Sequence, residues 1–81
     1  MAAQDDSLKI RVKLFNTLKI NRFSDQVRIY RQGSTIGTIM NDLGIDGKEI
    51  SVVFVNGIHR ELSKEVSDGD VVALFPPVGG G

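Results

Sequence analysis

The residues most able to do chemistry in this 81-residue chain stand together at its end, in Phe75-Pro76-Pro77-Val78-Gly79-Gly80-Gly81. Consecutive glycines make a thin, unbranched arm that carries the α-carboxylate of Gly81. Without Cβ atoms the arm takes almost any backbone angle and can enter a narrow active-site channel. Pro76 and Pro77 fix φ and hold the residues before them extended, so the arm leaves the body on a stiff root. A slim tip on a stiff root suits a carboxylate that is inserted into another enzyme and modified there. Gly81 is therefore the expected point of covalent attachment, and Gly80 the residue that gives it clearance. The competing reading is an inert terminus.

Little else in the chain is equipped to react. There is no cysteine, which excludes a disulfide framework, a thiol nucleophile and an iron–sulfur site. A single histidine, His59, argues against a zinc site built by this chain, so no metal is expected. No glycine-rich phosphate loop precedes a helix, and no histidine–carboxylate pair has an evident purpose. The chain is thus expected not to be an enzyme by itself. Ten acidic and ten basic residues leave no net field toward nucleic acid or an anionic membrane, and neither is an expected partner. No apolar run approaches the ~20 residues of a membrane span, and no signal-peptide pattern opens the sequence, so a cytoplasmic location is expected. A hydrophobic content of 41 % supports one core but no deep active site.

The elements that must position the arm are legible from periodicity. Residues 1–7 are a polar lead-in, 8–75 a single domain and 76–81 the tail. Leu8, Ile10, Val12 and Leu14 alternate with Lys9, Arg11 and Lys13, the period of a half-buried strand. Asn16 to Ser24 is a polar connection anchored by Leu18 and Ile20. Gln26 to Arg31 alternates again, with Val27 and Ile29 expected inward and Arg28 and Tyr30 outward. Ser34 or Thr35 caps a helix whose stripe is Ile36, Ile39, Met40 and Leu43, closed by Gly44. A third strand is expected over Ile50 to Val55. Asn56-Gly57 signals a tight hairpin into a return strand from Ile58 to Leu62. After the Ser67-Asp68-Gly69-Asp70 turn, Val71 to Phe75 is the last strand.

This order predicts an α+β roll, a mixed sheet with one main helix across one face. With a glycine terminus it resembles the ubiquitin-like β-grasp proteins. Val55-Asn56-Gly57, Val66-Ser67-Asp68-Gly69-Asp70 and Val72-Ala73-Leu74-Phe75-Pro76-Pro77-Val78 with the glycines resemble the sulfur carriers of the MoaD/ThiS family, and most of all the small subunit of molybdopterin synthase. Leu14-Phe15 at the exit of the first strand is similar too. The resemblance implies that a ubiquitin-activating-type adenylyltransferase joins Gly81 to AMP and that the tip becomes a thiocarboxylate. It implies that the large catalytic subunit of the synthase then takes the sulfur to build the dithiolene of the molybdenum cofactor. ATP and the sulfur donor come through the activating enzyme, so no cofactor is expected to be stably bound. The triple glycine is also similar to endings of thiamin-pathway carriers, and a protein modifier joined through Gly81 to lysines shares the same tip.

In a β-grasp sheet the first and last strands lie side by side and parallel. Parity then puts Phe15 and Phe75 together on the face away from the helix, at the root of the arm. Val71 and Ala73 share that face, and the third strand is apolar on both faces, so an open apolar area of binding size is expected. Lys9, Arg11, Lys13 and Arg28 are expected to border it. The partner-binding residues expected here are Phe15, Phe75, Pro76, Pro77, Val78, Gly79 and His59, the last lying just beyond the Asn56-Gly57 turn.

Overall fold

In the computed structural model, which describes residues 6–77, the apolar alternation of the first segment becomes the inner face of β1 (Ser7–Leu14). Leu8, Ile10, Val12 and Leu14 are buried there, while Lys9 and Arg11 are exposed on the other side. A 3-10 turn over Asn16–Lys19 follows and leads to β2 (Asp25–Arg31), antiparallel to β1. The helix α1 (Ile36–Leu43) crosses one face and is succeeded by a 3-10 turn over Gly47–Glu49. Three further strands follow among the described residues: β3 (Val52–Val55), β4 (Ile58–His59) and β5 (Val71–Phe75). They form one five-stranded sheet in the order β2-β1-β5-β3-β4, with β5 parallel to β1 and antiparallel to β3. This is the ubiquitin-like β-grasp roll.

The core lies between α1 and the sheet. Ile36, Ile39 and Met40 press on Ile10, Val12, Val53, Val55, Val72 and Leu74, with Leu43 packed at the margin. A helix of eight residues is too short to persist unaided, so its ends are held by specific contacts. Thr35 caps the first turn, its hydroxyl accepting from the Thr38 N–H while the Thr38 hydroxyl accepts from the Thr35 N–H. Two more N–H groups of that turn, on Ile36 and Gly37, donate to the carbonyls of Lys64 and Leu62. At the other end Gly44 takes a left-handed conformation, φ 69°, as the cap requires. Arg22 reaches across to donate to the carbonyls of Leu43 and Gly44.

Four expectations from periodicity are corrected. Val27 and Ile29 do not face the core; they are 59 % and 58 % exposed on the open face, while Tyr30 is buried and Arg28 half-buried on the helix side. The register decides this, because Tyr30 pairs with Leu8 and Arg28 with Ile10, both of which point inward. The Tyr30 hydroxyl is therefore not in water but donates to Asp42 of α1, which also receives Arg28 Nη2. Ile20 is exposed, and the connection is anchored by buried Leu18, with Phe23 packed half-buried against the core. The third strand begins at Val52 rather than Ile50. The return strand ends at His59, because the segment after it must turn away to meet the helix N-terminus.

Candidate functional site

Two turns fix where β5 lies, and β5 fixes the site. Asn56 and Gly57 both adopt positive φ, 53° and 82°, as a tight hairpin demands. The Asn56 side chain then accepts from the Val71 N–H and donates to Asp70 Oδ1, tying the hairpin to the start of β5. Asp70 closes its own turn by accepting from the Ser67 N–H at 2.8 Å. Asp68 accepts from the Lys9 N–H at 2.7 Å, and Gly69 donates to the Lys9 carbonyl. The Asn-Gly and Ser-Asp-Gly-Asp motifs thus set the register of β5 against β1 and β3.

That register places Leu14 beside Leu74, so the next residue along each strand path is a phenylalanine. The rings of Phe15 and Phe75 stack, with centroids 4.3 Å apart and planes 6° from parallel. Phe54 meets Phe75 edge-on at 5.7 Å, and His59 meets Phe54 edge-on at 6.1 Å. Val52, Val71 and Ala73, all half-buried, complete an apolar area on the sheet face opposite α1. The Ser51 N–H donates to the Phe75 carbonyl at 2.8 Å, so the backbone is held up to the residue before Pro76. Pro76 is half-buried and Pro77 exposed; Val78, Gly79, Gly80 and Gly81 lie outside the described residues.

A basic stripe borders this area along β1. Arg11 is bound through two nitrogens to Asp25, which raises the guanidinium's pKa and lowers that of the carboxyl through the shared hydrogen bonds. Among the described residues Lys9 and Lys13 have no ion-pair partner. Arg28 is not part of the stripe, since it lies on the helix side with Asp42. Strand parity within the expected β-grasp sheet brought Phe15 and Phe75 together, as observed, but did not single out Phe54. The signal was present in the Asn56-Gly57 turn, which sets the parity of β3 and pairs Phe54 with Ala73 and His59. Among the described residues no group of histidine, cysteine or carboxylate side chains is arranged to hold a metal ion. Nor is any described helix long and apolar enough to cross a membrane.

A model of the ThiS family matches residues 12–81. The chain belongs to the ThiS family. No curated protein matches it. Among solved structures it is similar to a Haloferax volcanii protein, HVO 2177, at a TM-score of 0.77 and 21 % identity, covering 100 % of this chain and 93 % of that one. It is also similar to small archaeal modifier protein 1 of Haloferax volcanii, at 0.73 and 24 %, covering 88 % and 99 %. A complex of subunits 1 and 2 of the molybdopterin-converting factor from Helicobacter pylori matches at 0.62 and 22 %, covering 91 % and 100 %. These likenesses establish the shared fold. The ThiS-family match extends through the glycine tail.

Proposed function

We propose that this ThiS-family chain is a sulfur carrier that delivers sulfur to molybdopterin synthesis as the small subunit of the synthase. The observation that carries the reading is the stacked Phe15–Phe75 pair at the root of a tail that the family match includes. A free carboxylate is a poor electrophile, because its charge is delocalised and its leaving group is oxide. The Gly81 carboxylate attacks the α-phosphorus of ATP, pyrophosphate leaves, and an acyl adenylate forms. A sulfide-level donor on the activating enzyme adds to that carbonyl and AMP departs, leaving a thiocarboxylate. ATP and sulfur are thus used on a ubiquitin-activating-type adenylyltransferase and are not held by this chain.

Phe15, Phe54, Phe75 and His59 form the docking area beside the tail, and Pro76, Pro77, Val78 and Gly79 carry the tip into the partner. The partners are the adenylyltransferase and then the large catalytic subunit. The two-subunit complex of the Helicobacter pylori factor supports the second of these. Likeness to a small archaeal modifier protein supports the other reading, isopeptide linkage of Gly81 to lysines. A thiamin-type carrier would share the tip chemistry and deliver to a different synthase.

Reconstitution with an adenylyltransferase, ATP and a sulfur donor separates these readings. The carrier gains the mass difference between one sulfur and one oxygen atom, located by fragmentation at Gly81. Omission of ATP prevents the gain. Addition of the large subunit and the pterin precursor discharges the sulfur. Lysine-linked conjugates without thiocarboxylate would establish the modifier, and an unchanged mass with a demonstrably active enzyme would sink the carrier reading.

A further inference from the structure

The sheet ends on two edges that differ sharply. β4 is two residues long, whereas β2 runs for seven. Long edges are commonly blunted by lysine, proline, a bulge or a covering segment. β2 reads Asp25-Gln26-Val27-Arg28-Ile29-Tyr30-Arg31, without lysine or proline, and its register with β1 is unbroken from Lys13–Asp25 to Ser7–Arg31. Its open-face apolar residues, Val27 and Ile29, are more than half exposed.

The ladder also determines which backbone groups are free. Leu14 donates to the Ser24 carbonyl and Gln32 to the Asp6 carbonyl, at 2.9 and 2.8 Å. Hydrogen-bonded pairs alternate along an antiparallel ladder, so the even-numbered residues of β2 are the ones bonded to β1. The N–H and C=O groups of Asp25, Val27, Ile29 and Arg31 point outward from the edge.

We propose that β2 pairs antiparallel with β2 of a second copy of this chain, about a twofold axis through Arg28. The strand is complementary to itself in that register. Asp25 faces Arg31 of the other copy, and Val27 faces Ile29, each twice. Among the described residues these are the ones whose backbone groups are free, so side-chain and main-chain complementarity coincide. Arg31 has no ion pair among the described residues. Asp25 is bound by Arg11 yet remains partly exposed, and a carboxylate accepts from more than one guanidinium. At the axis Arg28 meets its own copy, where like charges oppose. Each Arg28, however, is drawn over its own body, donating to Asp42 at 3.0 Å and lying 5.5 Å above the Phe23 ring. A register slipped by two residues would set Arg31 opposite Phe23 and forfeit both charge pairs. One copy of this chain therefore supplies what the other lacks, at both ends of the strand.

The twofold axis stands normal to the sheet. Both open faces then lie on one side and both helices on the other, while the two β5 ends point in opposite directions. The aromatic areas stay uncovered, so the assembly is independent of the carrier reading. A single strand pair is a small contact, which puts the dimer in the weak class.

Sedimentation equilibrium of the full chain, carried to roughly millimolar concentration, is expected to show monomer and dimer. Val27→Lys puts a charge on the edge and is expected to lower the association constant at least about tenfold. Arg31→Glu sets two carboxylates opposite each other and acts in the same direction. Ile58→Lys, on the far edge, leaves association unchanged. Hydrogen exchange on the unaltered chain supplies a readout that needs no variant. The amides of Val27 and Ile29 slow as concentration rises, while those of Arg28 and Tyr30, already bonded to β1, do not. A chain monomeric throughout that range overturns the proposal. So does a dimer unaffected by both β2 substitutions in folded variants, or protection that grows elsewhere and not at Val27 and Ile29.

Discussion

Phe75 sits at the crossing of two ring contacts, stacked on Phe15 and edge-on to Phe54. Its half-burial leaves one side for a partner to cover. On the proposed carrier reading, Phe75→Ala should weaken binding to the proposed adenylyltransferase by about 2 kcal/mol, the size of an aromatic anchor at an interface centre. Circular dichroism should show the variant folded. Equal affinity in a folded variant would remove the docking role. Phe54→Ala tests a residue that periodicity did not mark, and should act in the same direction to a smaller extent. Asp42 belongs to a different chemistry. The Tyr30 hydroxyl and the Arg28 guanidinium hold its carboxyl below the usual carboxylate range. A carboxyl whose pKa is lower folded than unfolded contributes fully above its unfolded value, and that contribution fades as pH falls through the folded one. Asp42→Asn should therefore flatten the acid limb of Tm against pH below about 4. An acid limb as steep as that of the unaltered chain would show that the carboxylate adds nothing. Tyr30 itself is pushed up, chiefly by burial, so its neutral hydroxyl persists at ordinary pH.

Among the elements, α1 depends on its ends. Thr35→Ala should cost about 1 kcal/mol by removing the reciprocal cap. Gly44→Ala should cost a similar ~1 kcal/mol, because φ 69° strains any residue with a Cβ. Urea unfolding measures both. The turn before β5 has a consequence beyond stability, since Asp70 joins Ser67 and Asn56 and thereby sets the strand's register. Asp70→Ala should cost about 1 kcal/mol and also loosen the Phe15–Phe75 stack. The second effect would appear as a loss of ring-current shifts on the Phe15 protons. Unchanged shifts would mean that the sheet ladders alone hold the register.

For the whole molecule, one core between one helix and one sheet carries the stability. Leu74, fully buried between α1 and the sheet, should cost about 2–5 kcal/mol when cut to alanine. Ile20→Ala should cost little, because the side chain is exposed. Comparable losses at both positions in urea unfolding would contradict this division. The sequence by itself determined much of the architecture. Alternation over Leu8–Leu14 and Val71–Phe75, the stripe of α1, and the Asn56-Gly57 and Asp68-Gly69 turns are local signals, each sufficient for its own element. The β-grasp resemblance added the parallel pairing of first and last strands, and parity within it put Phe15 beside Phe75. What only the tertiary structure decided were matters of relation. Gln26 to Arg31 reads equally well in either parity, because Tyr30 and Arg28 carry enough apolar stem to line a core margin and Val27 and Ile29 tolerate an open edge. The choice was made by pairing with β1 and by Asp42 on the helix opposite. The return strand stopped at His59 because the carbonyls of Leu62 and Lys64 were needed by the first turn of α1, a demand no local pattern records. Phe54 joined the aromatic area through its pairing with Ala73 and His59, in the parity that the Asn56-Gly57 turn sets. Local sequence says which faces a strand has, and only its neighbours say which one meets the core.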